Sequence, residues 1–164
     1  MKTVLLMRHA KSSWKDPSLH DHERPLNKRG QRDAPLMGLL ANDNELIPNI
    51  ILCSTAKRAR QTVDKFLETC DFPGEIEYDD SLYHADYATY LDLLSELDDE
   101  IQRAMIVGHN PEMSYFLQVI CDEYEHMPTS ALAHISFPID DWNSLKTKWD
   151  GKLENLWKPR EIDY

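Results

Sequence analysis

The chain has 164 residues, enough for one domain whose core needs no staples. Its formal charge of −11 argues against nucleic acid as a partner, because phosphate backbones repel an acidic surface. Its three cysteines, Cys53, Cys70 and Cys121, form no Cys-x-x-Cys pair, no run approaches the ~18 apolar residues of a membrane span, and the apolar start is too short for a signal peptide, so a cytoplasmic protein with no membrane partner is expected.

In chain order, residues 3–7 (TVLLM) are a short apolar run that reads as a buried strand. Residues 15–27 are polar, contain Pro17 and Pro25, and read as a loop. Asn27 is placed to cap a helix running to about residue 42. Residues 49–53 (NIILC) read as a second buried strand. Ala59, Val63, Phe66 and Leu67 then repeat at helical spacing, with Ser54 or Thr55 as the expected cap. Residues 75–78 give a weak third strand, and Asp86 caps a helix carrying Tyr87, Tyr90, Leu91 and Leu94. Residues 104–107 (AMIV) form a fourth strand. Asn110 and Pro111 read as the cap and first residue of the next helix. Residues 131–137 alternate as a half-buried strand, and the tail beyond Trp142 has no clear period. Trp14 and the Trp-rich tail either pack on the core or form an interface, with the core the safer expectation.

Strands alternating with helices predict an α/β sheet covered on both faces. In such sheets ligands bind beyond the carboxyl ends of the strands. Three strand ends carry suggestive residues: Arg8-His9 after the first, Ser54-Thr55 and then Arg58 after the second, Gly108-His109-Asn110 after the fourth.

The charge is unevenly spread. Residues 1–32 hold eight Lys/Arg against three acids, and residues 57–65 hold four against one; from 66 onward 22 acids face six bases. If the two basic stretches meet, they make a positive pocket in a negative body; charge runs of this kind otherwise serve as solvated faces.

Arginine offers a planar fork that grips phosphate oxygens two at a time. A neutral histidine can attack as a nucleophile or move a proton. Two arginines, two histidines and two helix starts brought to one spot would specify a tetrahedral dianion. There is no GxxxxGK[ST] loop and no carboxylate cluster beside the histidines, so neither a nucleotide P-loop nor a two-metal phosphatase is expected. His20 and His22 are a possible metal pair, but in a polar loop solvent exposure is the commoner fate.

The stretches LLMRHAKSSW, RPLNKRGQRDA, STAKRARQT and VGHNPEMS, in this order, resemble the histidine phosphatase superfamily, specifically its small SixA-type phosphohistidine phosphatases. The resemblance runs from residue 4 to about 137. It implies a three-layer α/β/α sandwich with a mostly parallel sheet whose last strand is antiparallel, a phosphoglycerate mutase-like fold, as one domain over residues 1–164. It implies that His9 is the nucleophile, transiently phosphorylated, and that Arg8, Arg58 and His109 complete the phosphate-binding set. No metal or organic cofactor is implied.

Each residue also has a plain structural reading. His9 alone would be a capping or surface residue, Arg8 an ion-pair partner, Arg58 decoration on a helix; the ordered motifs shift the balance to the site. Lys11 and Ser12 follow the strand end and are candidates for further phosphate contacts, with a solvated loop as the equal alternative. Arg24 either lines the mouth or pins the loop. Asn110 is expected only to cap, and His84 and His134 to be structural.

Many larger members of the superfamily carry an acid after the third strand, in a Leu-x-acid setting, that protonates the departing oxygen. Here Leu82 is followed by Tyr83 and His84, and no lid-sized insertion is present. An alkoxide leaves poorly without an acid, whereas the imidazole of phosphohistidine, with a pKa near ~6.5 once released, leaves readily. The expected function is therefore hydrolysis of phosphohistidine on a protein, in signalling or phosphotransfer. Asp80 and Asp86 remain candidate proton donors. The alternatives are a small-molecule phosphomonoesterase and a non-catalytic phosphate-recognition module.

Overall fold

The structure, a computed structural model, describes residues 1–163. The apolar runs form strands β1 (Lys2–Arg8), β2 (Ile50–Ser54), β3 (Glu75–Asp79), β4 (Arg103–Gly108) and β5 (Leu132–Phe137), to which the tail adds β6 (Lys152–Trp157). The helices are α1 (Lys28–Asp43), α2 (Lys57–Phe66), α3 (Tyr87–Ser95) and α4 (Glu112–Cys121). One sheet takes the order β3-β2-β4-β1-β5-β6. The first four strands are mutually parallel, and β5 and β6 run antiparallel to their neighbours.

Alternate residues of each central strand serve opposite faces. Val4, Leu6, Ile50, Leu52, Ala104 and Ile106 pack against Tyr90, Leu94, Met113, Phe116 and Leu117 of α3 and α4. Leu5, Met7, Ile51, Cys53, Met105 and Val107 pack against Met37, Leu40, Ala59, Val63 and Phe66 of α1 and α2. The strands are apolar on both sides because helices cover both sides, which is the three-layer sandwich. No helix among the described residues is long and apolar enough to cross a membrane.

Register aligns the strand ends. Arg8 pairs with Gly108, and Cys53 with Val107, so β1, β4 and β2 finish level with one another. Asn27 caps α1 as expected, accepting from the Gly30 N–H at 2.9 Å. Gly30 lets the loop after β1 approach this helix: a Cβ there would sit 2.2 Å from the Lys11 carbonyl oxygen.

Four local expectations change. Strand β6 is an edge strand whose inner face is only half-buried, and a register shift at His134/Ile135 of its partner breaks the alternation. Helix α2 is preceded by Ala56 with no side-chain cap; the Ser54 hydroxyl accepts from the Ala56 N–H at 3.2 Å, and Thr55 turns to Asp80. Pro111 rather than Asn110 holds the cap position of α4, while the Asn110 side chain still accepts from the Ser114 N–H. Trp14 is 71 % exposed, its ring lying under the Arg24 guanidinium at 3.5 Å; of the tail's tryptophans, Trp157 packs half-buried against the core and Trp149 is 41 % exposed.

Candidate active site

A cleft of about 320 Å³ opens at the carboxyl ends of β1, β2 and β4 and is lined by Arg8, His9, Lys11, Ser12, Arg24, Arg58 and His109. All six residues singled out as catalytic or phosphate-binding thus line one cleft, Arg58 and His9 among them. The two rings at the centre, His9 and His109, are 5.1 Å apart between centroids.

His9 is 7 % exposed and its backbone is fixed from both sides. Its N–H donates to the Gly108 carbonyl at 2.9 Å, and its carbonyl accepts from Ser130, a non-glycine residue held at φ 65° whose N–H also reaches the Arg8 carbonyl. Nδ1 of His9 lies 2.8 Å from the Ala10 carbonyl, which can only accept, so Nδ1 carries the proton and Nε2 the free lone pair. The Ala10 peptide is itself clamped, since its N–H donates to Thr62 Oγ1 at 2.8 Å. Burial, opposed by the bond to Ala10 and reinforced by His109, Arg58 and Arg8, takes His9 from 6.5 down to about 3.

His109 is placed by the end of β4, with Nε2 2.8 Å from the Ser54 hydroxyl at the end of β2. Its Nδ1 is buried without a protein partner. Burial and the Arg58 charge, partly offset by Asp21, lower it from 6.5 to about 3. Both rings are therefore neutral near pH 7.

Arg8 donates from Nη1 to the Met127 carbonyl at 3.1 Å, and its Nε is buried with no partner. Burial and the nearby Arg58 charge lower its pKa, with Glu112 opposing. Arg58, from the first turn of α2, donates to the Asp21 carbonyl at 2.8 Å and to the Asp21 carboxylate at 3.0 Å. Lys11 and Ser12 both line the cleft, and Ser12 Oγ accepts from Arg24 at 2.7 Å. Arg24 does both things considered for it: it lines the cleft, and it ties the loop together through Ser12, the Ser13 carbonyl and Asp21.

The cleft is also lined by Trp14, Asp21, Tyr83, Asn110, Glu112 and Thr129, none of them singled out in the sequence as a site residue, and Ser54 reaches it through His109. Asp21 sits between Arg24 and Arg58 and accepts from the Tyr83 hydroxyl at 2.5 Å. Burial pushes its carboxyl up, but Tyr83, Arg24 and Arg58 outweigh that and hold it well below the usual carboxylate range. The Tyr83 ring lies edge-on to the His109 ring, with centroids 5.7 Å apart. Ser54 orients His109 from below, although the cleft lining does not include it. Glu112, at the start of α4, lines the cleft with one carboxylate oxygen buried and unpaired.

His84, expected to be structural, lines the cleft beside Tyr83, with ring centroids 4.2 Å apart. His134 is on β5, away from the cleft. Of the two acids considered as proton donors, Asp86 caps α3 through the Thr89 N–H and Asp80 accepts from Thr55; neither lines the cleft. His22 bonds to Thr55 and Glu23 rather than pairing with His20. No group of three or more His, Cys, Asp or Glu side chains among the described residues is arranged to hold a metal ion.

Residues 4–138 match the histidine phosphatase superfamily, branch 1. An uncharacterized protein of Mycobacterium tuberculosis is 38% identical over 108 residues, which cover 66% of this chain and 65% of that protein. The match thus spans slightly less than two thirds of that relative's length. The SixA protein of Agrobacterium tumefaciens superposes with a TM-score of 0.81 at 33% identity, over 96% of this chain and 99% of that one. The protein histidine phosphatase SixA complexed with tungstate shares the fold, with a TM-score of 0.85 at 22% identity over 98% of this chain and 99% of that one. On the level strand ends, the paired imidazoles and the match over most of its length, this chain belongs to the histidine phosphatase superfamily.

Proposed function

We propose that the chain works as a single catalytic unit, a phosphatase that removes the phosphoryl group of phosphohistidine on a protein, through a phosphorylated His9. The observation that carries the reading is the His9 tautomer. With Nδ1 donating to Ala10, Nε2 presents its lone pair, and a ring that stays neutral down to about pH 3 keeps it available. Nε2 attacks phosphorus as the bond from phosphorus to the substrate nitrogen breaks. That nitrogen takes the electron pair and leaves as neutral imidazole, the leaving ring having carried a proton on its other nitrogen. Water then attacks phosphorus, the pair returns to Nε2, and inorganic phosphate departs.

The other residues stabilise charge rather than make bonds, as phosphoryl transfer requires. Arg8 and Arg58 grip the non-bridging oxygens, and Lys11 and Ser12 extend the cradle. The Ser54 hydroxyl, which already accepts from Ala56, donates to Nε2 of His109. Nδ1 of His109 then carries the proton and is free to bond a phosphoryl oxygen. The 33% identical SixA structure, described as that of a phosphohistidine phosphatase, supports the substrate class.

A second reading, a small-molecule phosphomonoesterase, is favoured by Glu112, whose carboxyl in the cleft is a candidate to protonate an alkoxide. Turnover of a phosphohistidine protein set against a panel of sugar phosphates and nucleotides decides between them. A kcat/KM for the protein at least about a hundredfold higher fits the first reading; comparable values fit the second. Stoichiometric anion binding with no turnover of any substrate refutes both and leaves a recognition module.

A further inference from the structure

Beside the active-site cleft lies a second hollow of about 370 Å³, lined by Arg29, Asp33, Thr129, Lys158 and Arg160 among others. A smaller hollow of about 190 Å³ continues it past Arg32. The groove is joined to the cleft by Thr129, which lines both, and whose hydroxyl accepts from Arg29 Nη2 at 3.2 Å.

Its cations are placed at a cost to the fold. Lys28 and Arg29 open α1 and Arg32 follows one turn on, with no acid in the first turn, although positive charge at a helix N-terminus opposes the dipole. Helical spacing sets Arg29, Arg32 and Asp33 on one face. The buried Asp33 carboxylate reaches Arg29 at 3.6 Å and Arg32 at 3.2 Å, and so holds both guanidiniums along the groove. Lys158 and Arg160 close the other wall from the turn after β6. Against Arg29, Arg32, Lys158 and Arg160 the groove sets only Asp33 and Glu161, and Lys28 lines neither hollow, in a chain whose net charge is −11. An acidic partner is repelled by the body of the protein and attracted along this one track leading to the phosphoryl site.

We infer that the groove seats an acidic segment of the protein substrate next to its phosphohistidine. This rests on the proposed phosphatase reading and adds a substrate preference to it. Steady-state kinetics on two synthetic phosphohistidine peptides, identical except that Asp and Glu in one replace Ser in the other, tests it. The acidic peptide should show a kcat/KM at least about tenfold higher in low salt, and the advantage should vanish near 0.5 M salt, where charges beyond ~3–5 Å are screened. The double substitution Arg32→Glu with Arg160→Glu, and Lys158→Glu alone as a milder variant, should erase or shrink the preference. Phosphorylation of His9 by phosphoramidate should stay unchanged in both, which also reports that they fold. Equal turnover of the two peptides by the parent protein overturns the groove and leaves the phosphatase reading standing. Turnover of neither peptide overturns both. Stronger inhibition by a single-stranded oligonucleotide than by the unphosphorylated acidic peptide overturns the choice of occupant.

Discussion

Arg8 and Gly108 are register partners on adjacent parallel strands, so the residues that follow them, His9 and His109, emerge side by side with their rings 5.1 Å apart. The sheet does the positioning. Hydrogen bonds then decide which nitrogen of His9 keeps its lone pair and leave Nδ1 of His109 without a protein partner.

Replacing Arg58 or Arg8 with lysine keeps the charge and loses the fork. Each change should lower kcat/KM by about 10²–10³, the usual cost of removing a charge-stabilising donor from a transition state. Steady-state kinetics on a phosphohistidine protein measures this. A loss below about threefold for both would remove the guanidiniums from the proposed roles.

In the proposed mechanism Ser54 acts as a positioning residue, through its 2.8 Å contact with Nε2 of His109. Ser54→Ala should lower kcat by about tenfold with little change in KM, because the phosphate cradle survives while His109 loses its fixed tautomer. A double-mutant cycle with His109→Asn should be strongly non-additive, since both substitutions act on one donor. Additive losses would show that Ser54 acts elsewhere.

Asp21 pairs with both Arg24 and Arg58, with about half of its side chain exposed. Asp21→Asn should cost about 1–2 kcal/mol of stability by loosening the pairing of two buried guanidiniums. Saturating inorganic phosphate should then raise the melting temperature of the variant more than that of the parent, because the anion no longer competes with a carboxylate. Equal phosphate-induced shifts would contradict this.

The low values of His9 and His109, about 3 each, make the fold sensitive to acid. In the unfolded chain each ring titrates near 6.5. Below that pH the unfolded chain takes up protons that the folded chain refuses. Stability is therefore full above pH 6.5 and falls as pH drops from 6.5 toward 3. Each ring contributes up to about 1.4 kcal/mol per pH unit, or about 2 kcal/mol between pH 7 and 5. Urea titrations at those two values, on the parent and on His109→Gln, check the sign. Carboxylates titrate lower, so the window isolates histidine. An undiminished slope in the variant would refute the burial argument.

Much of this was legible in the residues. Apolar runs bounded by polar loops located β1, β2 and β4 within about a residue, because strands covered on both faces read as unbroken hydrophobic stretches; β5 was located by its alternation, and β3, a largely exposed edge strand, gave only a weak signal. Arg8, His9, Arg58 and His109 were legible because strand ends in such sheets face one edge. Strand β6 was not: Lys152–Trp157 is an edge strand against a bulged partner, so neither face repeats cleanly. Asp21 was hidden because it lies in a polar loop and its partners are tertiary. Ser54 was read as a helix cap because a serine before a helix ordinarily is one; here the hydroxyl bonds to the Ala56 N–H and His109 instead. Trp14 was misjudged because its ring covers Arg24 at the mouth of the cleft rather than the core.

The central claim is a phosphoryl group carried on Nε2 of His9, and the most direct measurement is to trap it. Incubation with radiolabelled phosphoramidate, rapid quench in base and peptide mapping should place acid-labile, base-stable label on the His9 peptide, chased within one turnover and absent in His9→Ala. Label on any other residue, or undiminished turnover by His9→Ala, would contradict the account.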